Sequence, residues 1–276
     1  MKLAGSPIQS RSSGRIFTVL IGIILSMLAV LMVLLVFFPA TWVADAVLEH
    51  SDGRVVLAHA HGTVWQGEAM LGLSENGLNA LNEVRDGRRK RLTGLVLPGL
   101  LKWKIDPFSV FSGKLQAELV HTEMMPAPVK LVLGLNEVVV EPGQIRLPAE
   151  LLTGLGTPFN TFKPKGLVAL NWDRLTLGQK IAPQGVVTVN ISQISTALSP
   201  VSPLGDYTAT LMLSSRTMNV QTRSGALLIT GAGSWATGAL QFDGEAKAAA
   251  GYEPSLSSLL SLLGKRTTLD AVSLKF

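Results

Sequence analysis

His59 and His61 flank a single alanine, and residues two apart in an extended strand project from the same face, so the two imidazoles form the best-placed pair of metal donors in the chain. A zinc site needs about three or four ligands. No carboxylate stands at ligand spacing, the remaining histidines are His50 and His121, and cysteine is absent. The pair therefore reads as two strand histidines near a turn, and no metal or other cofactor is expected. A second cluster, Arg88, Arg89, Lys90 and Arg91, closes the run that begins at Arg85. It suits an anionic surface or an acidic partner, in which case binding should weaken with added salt; the plainer alternative is a solvated loop. Gly231, Gly233 and Gly238 have the wrong spacing for a dinucleotide fingerprint, and no phosphate loop, Gly-x-Ser-x-Gly elbow or His-Glu-x-x-His is present. Asp106, Asp173 and Asp243 fall at expected strand ends, where turn duty explains them. Trp65 and Trp235 beside glycines suggest a carbohydrate platform or, more simply, large rings packing where a missing side chain leaves room. Nothing here supports an enzyme.

The elements that must position these residues are mainly strands. Residues 54–60, 68–73, 114–121, 185–191, 206–213, 226–230 and 239–243 are short, partly alternating, and bounded by Gly, Asn, Pro or Asp. Such spacing predicts a largely antiparallel sheet, extended and curved. In the 114–121 segment Lys114, Gln116 and Glu118 alternate with Leu115, Ala117 and Leu119, which implies one wet face and one buried face. Stretches 122–128 and 198–205 carry Pro and read as loops.

Two or three short helices interrupt the strands. Residues 41–51 place Trp42, Val43, Ala46 and Val47 at helical spacing, and residues 148–154 begin with a proline. Over 255–263, Leu256, Leu259, Leu260 and Leu263 share one face before Gly264, predicting a lid over an open side of the sheet, with a last strand over 269–276. A faint echo relates Gly62, Trp65 and Gly67 to Gly233, Trp235 and Gly238, suggesting repeated hairpins on one continuous sheet.

Residues 16–38, IFTVLIGIILSMLAVLMVLLVFF, carry no charge. At about 1.5 Å per residue such a helix is long enough for a hydrocarbon core about 30 Å thick. A transmembrane anchor is therefore expected, represented along its length by Ile16, Ile24, Leu31 and Phe38. Lys2, Arg11 and Arg15 precede it and Asp45, Glu49 and Asp52 follow it, so the positive-inside bias puts residues 1–15 in the cytoplasm and 39–276 outside it. A small-x-small site at Ala44-Asp45-Ala46 offers signal cleavage as the competing interpretation, but the apolar run exceeds the usual h-region. Once the tail is set aside, the charge is close to balanced, which gives no electrostatic case for nucleic acid.

In their order along the chain, Pro39 to Trp42, Ser51 to Leu57, Gly62 to Gly67, Leu101 to Trp103, Pro203 to Tyr207, Gly231 to Trp235, Phe242 to Ala246 and Leu259 to Gly264 resemble the type II secretion system protein N family. The resemblance implies a non-catalytic, single-pass inner-membrane component with a periplasmic domain. Its partners would be other secretion components, and it would aid transport of folded proteins across the outer membrane. Leu101 to Pro107 carries a weaker likeness to AsmA-type envelope proteins. That likeness implies the alternative, a sheet holding or transferring lipid in an apolar groove, for which apolar strands at 129–133 and 167–170 are the motive.

Overall fold

The computed structural model describes residues 21–27, 30, 32–33, 36–74, 94–155, 159–178, 181–235, 240–268 and 270–275. The strand-rich expectation holds, but the strands make two antiparallel sheets where one continuous sheet was expected. The first contains β1 (Val55–Gly62), β2 (Gln66–Ser74), β3 (Gly94–Val96), β4 (Leu101–Asp106), β5 (Leu115–His121), β6 (Val129–Leu133), β7 (Glu137–Val140) and the later β10 (Leu175–Gly178). Its order is β1-β2-β4-β5-β6-β7-β10, with β3 also pairing β2. The second contains β8 (Gly143–Pro148), β9 (Lys165–Trp172), β11 (Val186–Ser195), β12 (Gly205–Met212), β13 (Thr217–Gly225), β14 (Leu227–Ser234), β15 (Gln241–Ala248), β16 (Lys265–Arg266) and β17 (Ala271–Lys275). It is ordered β16-β17-β15-β14-β13-β12-β11-β9-β8.

A shared ribbon joins the sheets. Glu137↔Gly178 through Val140↔Leu175 pairs β7 with β10, and Gly143↔Trp172 through Pro148↔Leu167 pairs β8 with β9 in the same register. The ladder breaks between them at Glu141 and Pro142. Proline has no N–H to give, and the Glu141 N–H turns instead to the Lys130 carbonyl of β6 at 2.9 Å. Trp172 spans the break, its indole N–H donating to the Glu141 carbonyl at 2.9 Å.

Beyond the helical residues of the N-terminal segment, the α-helices are α1 (Thr41–His50), α2 (Phe159–Phe162) and α3 (Glu253–Leu263). Pro254 in the first turn of α3 suits a position whose N–H has no helical partner. Its Leu256, Leu259 and Leu260 are buried with Phe242, Ala246, Val272 and Leu274 as the core of the second sheet. This is the lid expected over 255–263. The helix expected over 148–154 is not formed as predicted: Pro148 ends β8, and Ala149–Leu155 is a 3₁₀ segment. A smaller core, Ala40, Leu57, Ala69 and Trp103, lies under Val43, Ala44 and Val47 of α1. Residues 21–27, 30, 32–33 and 36 are helical and expose Ile23, Ile24, Leu25 and Met27. Among the described residues no helix is long and apolar enough to cross a membrane.

Candidate interaction surfaces

The Gly62–Gly67 segment is a knot of hydrogen bonds where three elements meet. Gly62 has φ +94°, a left-handed backbone that favours glycine, and a Cβ there would lie 2.5 Å from the Gln66 carbonyl. Thr63 closes the turn, its N–H donating to the Gln66 carbonyl at 2.8 Å while its hydroxyl accepts from the Gln66 N–H at 3.1 Å. From this turn the Val64 N–H donates to the Phe38 carbonyl at 2.8 Å, and the Gly62 carbonyl accepts from Ala40 at 3.1 Å. On the other side the Trp103 indole donates to the Val64 carbonyl at 3.0 Å, and Ile105 N–H to the Trp65 carbonyl at 2.6 Å. The turn thus fixes the start of α1, and the apolar segment ending at Phe38, to β4 of the first sheet.

Aromatic rings lie on glycines at three cross-strand pairs. A Cβ on Gly67 would meet Trp103 at 2.4 Å, one on Gly143 would meet Trp172 at 2.6 Å, and one on Gly231 would meet Phe242 at 2.4 Å. The first two pairs are directly opposed in the ladder, as are Gly233 and Phe242. This is where the recurrence in the sequence has its physical basis, with a correction to the rings involved: the indoles lying on these glycines are Trp103 and Trp172, whereas Trp65 and Trp235 contribute backbone bonds at strand ends. Trp235 N–H donates to the Arg216 carbonyl at 3.0 Å.

Sheet edges differ in how open they are. β16 is two residues long and both are charged, and the Arg266 guanidinium is held to Ser257 and Ser261 of α3 at 3.1 and 2.9 Å. β8 ends in Pro148, and its Arg146 N–H is taken by the Met124 carbonyl at 2.8 Å. These are familiar devices against unwanted strand addition. β1 is the longer edge. Among the described residues it pairs only with β2, with a bulge between Ala58 and His61 where His59 has φ 53°.

Between α3, the side chains of Leu152, Phe162 and Pro164, and the second sheet lies an apolar cavity of about 290 Å³, walled also by Ile194, Leu204, Leu259 and Leu263. The one phenol in its wall, Tyr207, spends its hydroxyl on the Leu227 carbonyl at 2.8 Å, and burial pushes its pKa up. Beside it, Asp206 accepts the Gln193 N–H at 2.6 Å and the Ser224 hydroxyl at 2.9 Å. Those two bonds hold its carboxyl below the usual range, and they brace a bulge where Gln193 has φ 52°. His121 is 1% exposed, its Nδ1 accepting from Met124 and Glu123 N–H at 3.3 and 3.4 Å. Burial lowers its pKa, a nearby Glu123 partly opposing that. None of these groups adjoins another in a way that assembles a nucleophile, base and acid.

The other residues singled out in the sequence are scattered. The bulge at His59 breaks the regular alternation that would align it with His61, and among the described residues no group of three or more donors is placed to hold a metal. His50 Nδ1 lies 2.9 Å from the Ala46 carbonyl within α1. Asp106 accepts the Phe108 N–H at 3.0 Å, and Asp243 pairs with Lys275 at 3.1 Å, which is turn and surface duty. Ile24 is exposed on the helical segment and Phe38 stacks against Trp42 with ring centroids 4.7 Å apart. Ile16, Leu31, Gly238 and the basic residues Arg88, Arg89, Lys90 and Arg91 lie outside the described residues.

Comparison with protein families matches residues 53–275 to the model of type II secretion system (T2SS) protein N. The chain belongs to that family. The match takes in every strand of both sheets together with α2 and α3, and leaves out the apolar N-terminal segment and α1. Neither the curated proteins nor the solved structures give a match. As a protein N family member the chain is a component of a type II secretion system.

Proposed function

We propose that this chain is a non-catalytic inner-membrane component of the secretion system, with residues 1–15 cytoplasmic, 16–38 a single transmembrane helix and 39–276 a periplasmic domain. It would aid transport of folded proteins across the outer membrane by contacting other secretion components. The family match over residues 53–275 carries the assignment to the machine. Support for the anchor comes from the uncharged run at 16–38, from the exposed apolar side chains along its described helical residues, and from the flanks, where Lys2, Arg11 and Arg15 precede the run and Asp45, Glu49 and Asp52 follow it. Protein contact rather than chemistry is favoured because Asp106, Asp206 and Asp270 are spent separately on a turn, a bulge and a surface ion pair. The outer edge of β1, which among the described residues has no ladder partner opposite β2 and is exposed at His59 and His61, is the docking strand we favour, since an added strand supplies main-chain bonds without needing a pocket.

Two measurements test this. Alkaline extraction of membranes should leave the full chain in the pellet, and release into the supernatant would refute the anchor. Photo-crosslinkers placed along β1 should capture another secretion component in cells that secrete, while a crosslinker on the far edge, at Gln144 of β8, should not. Equal capture from both edges would reject β1 as the docking strand.

A further inference from the structure

The turns at one end of the first sheet are apolar and turned outward. β1 enters the Thr63–Gln66 turn, β4 runs down to Asp106 and the 3₁₀ turn Pro107–Ser112, and β6 runs down to the turn at 134–136. The registers place these tips along one rim: Gln66 pairs Lys104, Asp106 pairs Gln116, Gln116 pairs Val132 and Leu133 pairs Val138. On that rim Phe108 is 73% exposed, Val110 53%, Phe111 89% and Leu135 95%. At the opposite end, among the described residues, Leu97 and Met124 are buried to 6%, with Val96 the large apolar side chain left exposed there, at 58%.

The 107–112 turn holds its phenyl rings out by burying a serine instead. Ser109 is 7% exposed; its hydroxyl donates to the Asp106 carbonyl at 2.5 Å and accepts from the Gln116 N–H at 2.9 Å. Gly113, at φ +74°, closes the turn. A polar residue facing in and aromatic rings facing out invert the usual partition, so these rings are built to meet an apolar medium. The same rim receives the apolar helical segment, through Val64 N–H to the Phe38 carbonyl and the Pro39↔Thr63 bridge. Phe37, 71% exposed, leads into it.

We infer that this rim is a membrane-contacting edge: Phe108, Val110, Phe111 and Leu135 insert into the outer layer of the bilayer from which the anchor emerges, so the sheet stands on the membrane rather than swinging from it. The occupant is lipid because the rim adjoins the apolar segment directly, and exposed Phe and Leu side chains bury at the headgroup–acyl boundary. Attachment is apolar, not electrostatic. Lys114 and Glu137 pair at 3.8 Å, and the rim's Asp106 carboxylate, which accepts the Phe108 N–H at 3.0 Å, would repel anionic headgroups, so added salt should leave attachment in place.

The inference rests on the anchor proposed above, and one experiment separates the two. The chain has no cysteine, so single-cysteine variants carry one fluorophore each. Full-length Ile24→Cys, Val110→Cys, Phe111→Cys, Leu135→Cys and Ala127→Cys, the last in the opposite loop, are labelled with a nitrobenzoxadiazole dye. Each is reconstituted into phosphatidylethanolamine–phosphatidylglycerol vesicles containing a nitroxide-labelled lipid. Positions 110, 111 and 135 should lose several-fold more emission than 127, and high salt should not restore it. If 24 is quenched while 110, 111 and 135 behave like 127, the anchor stands, the membrane edge is overturned, and the rim is left to a protein partner. Should 24 itself go unquenched, the anchor fails and the membrane edge with it.

Discussion

Replacing Gly143 with alanine tests whether the packing of Trp172 holds the two sheets together. The glycine sits on the ribbon just past Pro142, opposite Trp172, and its φ is not in the left-handed region. An added Cβ would lie 2.6 and 3.0 Å from two indole carbons and 2.9 Å from Val129 Cγ2, all side-chain atoms. Overpacking of this kind costs about 1–3 kcal/mol. If the indole moves away, it also forfeits its bond to the Glu141 carbonyl, about 1 kcal/mol. Against these stands a gain of about 0.4–1 kcal/mol from restricting the unfolded chain. The net expectation is a loss of about 1–3 kcal/mol, read as a shift in the guanidinium midpoint of the full chain in detergent by far-ultraviolet circular dichroism. In a Trp172→Leu background the same change should cost nearly nothing, a coupling of at least about 1 kcal/mol. Equal cost in both backgrounds would refute the account, because the penalty would then belong to the backbone and not to the ring.

Three further expectations concern stability. Leu256→Ala, which empties a fully buried position under α3, should cost about 2–5 kcal/mol in the same unfolding assay; a loss under about 1 kcal/mol would mean α3 is not part of the cooperative core. Burial lowers the folded pKa of His121, so the unfolded chain takes up the proton first. Stability should therefore be complete above its ordinary value of 6.5 and fall as the pH drops below that, and His121→Asn should flatten the slope; an unchanged slope would assign it to other groups. For Asp206 the sign is opposite to a raised group: its bonds to Gln193 and Ser224 are worth most above its ordinary value of 3.8 and are lost in acid. Asp206→Asn should cost about 1 kcal/mol at neutral pH and nearly nothing in acid, and a pH-independent cost would contradict that.

Strands with bounded, alternating sequence were legible: 114–121 and 206–213 lie within one residue of β5 and β12, while 185–191 finds the start of β11 but stops short of its bulge and its end at Ser195. So was α3, where Leu256, Leu259 and Leu260 repeat at helical spacing. β13 was missed because only Met218 and Val220 mark its core-facing side before Thr222 and Ser224 turn it polar, and the partition into two sheets because it depends on Pro142 interrupting a ladder whose partner strands lie far along the chain. The proline at 148 looked like a helix start, yet the same missing N–H also suits the end of an edge strand. Glycines facing aromatic rings were sensed as recurrence but matched to the wrong rings. Gly67 and Trp103 are 36 positions apart, and only the pairing of β2 with β4 brings them together. The apolar rim escaped notice for a similar reason: Phe108 and Phe111 sit in one turn and Leu135 in another, and the register alone aligns the two. Ser109 between them, alternating with apolar residues, was the available signal.

The ribbon that runs through both sheets also has a mechanical meaning. Ladder bonds in antiparallel strands lie perpendicular to the chain, and this ribbon passes lengthwise from the first sheet, which holds the segment ending at Phe38, into the second. A pull between the two sheets therefore loads many of its bonds together in shear instead of peeling them one at a time. Force exerted on the distal sheet would reach the proximal one through a stiff strut, with Trp172 clamped across its weakest point.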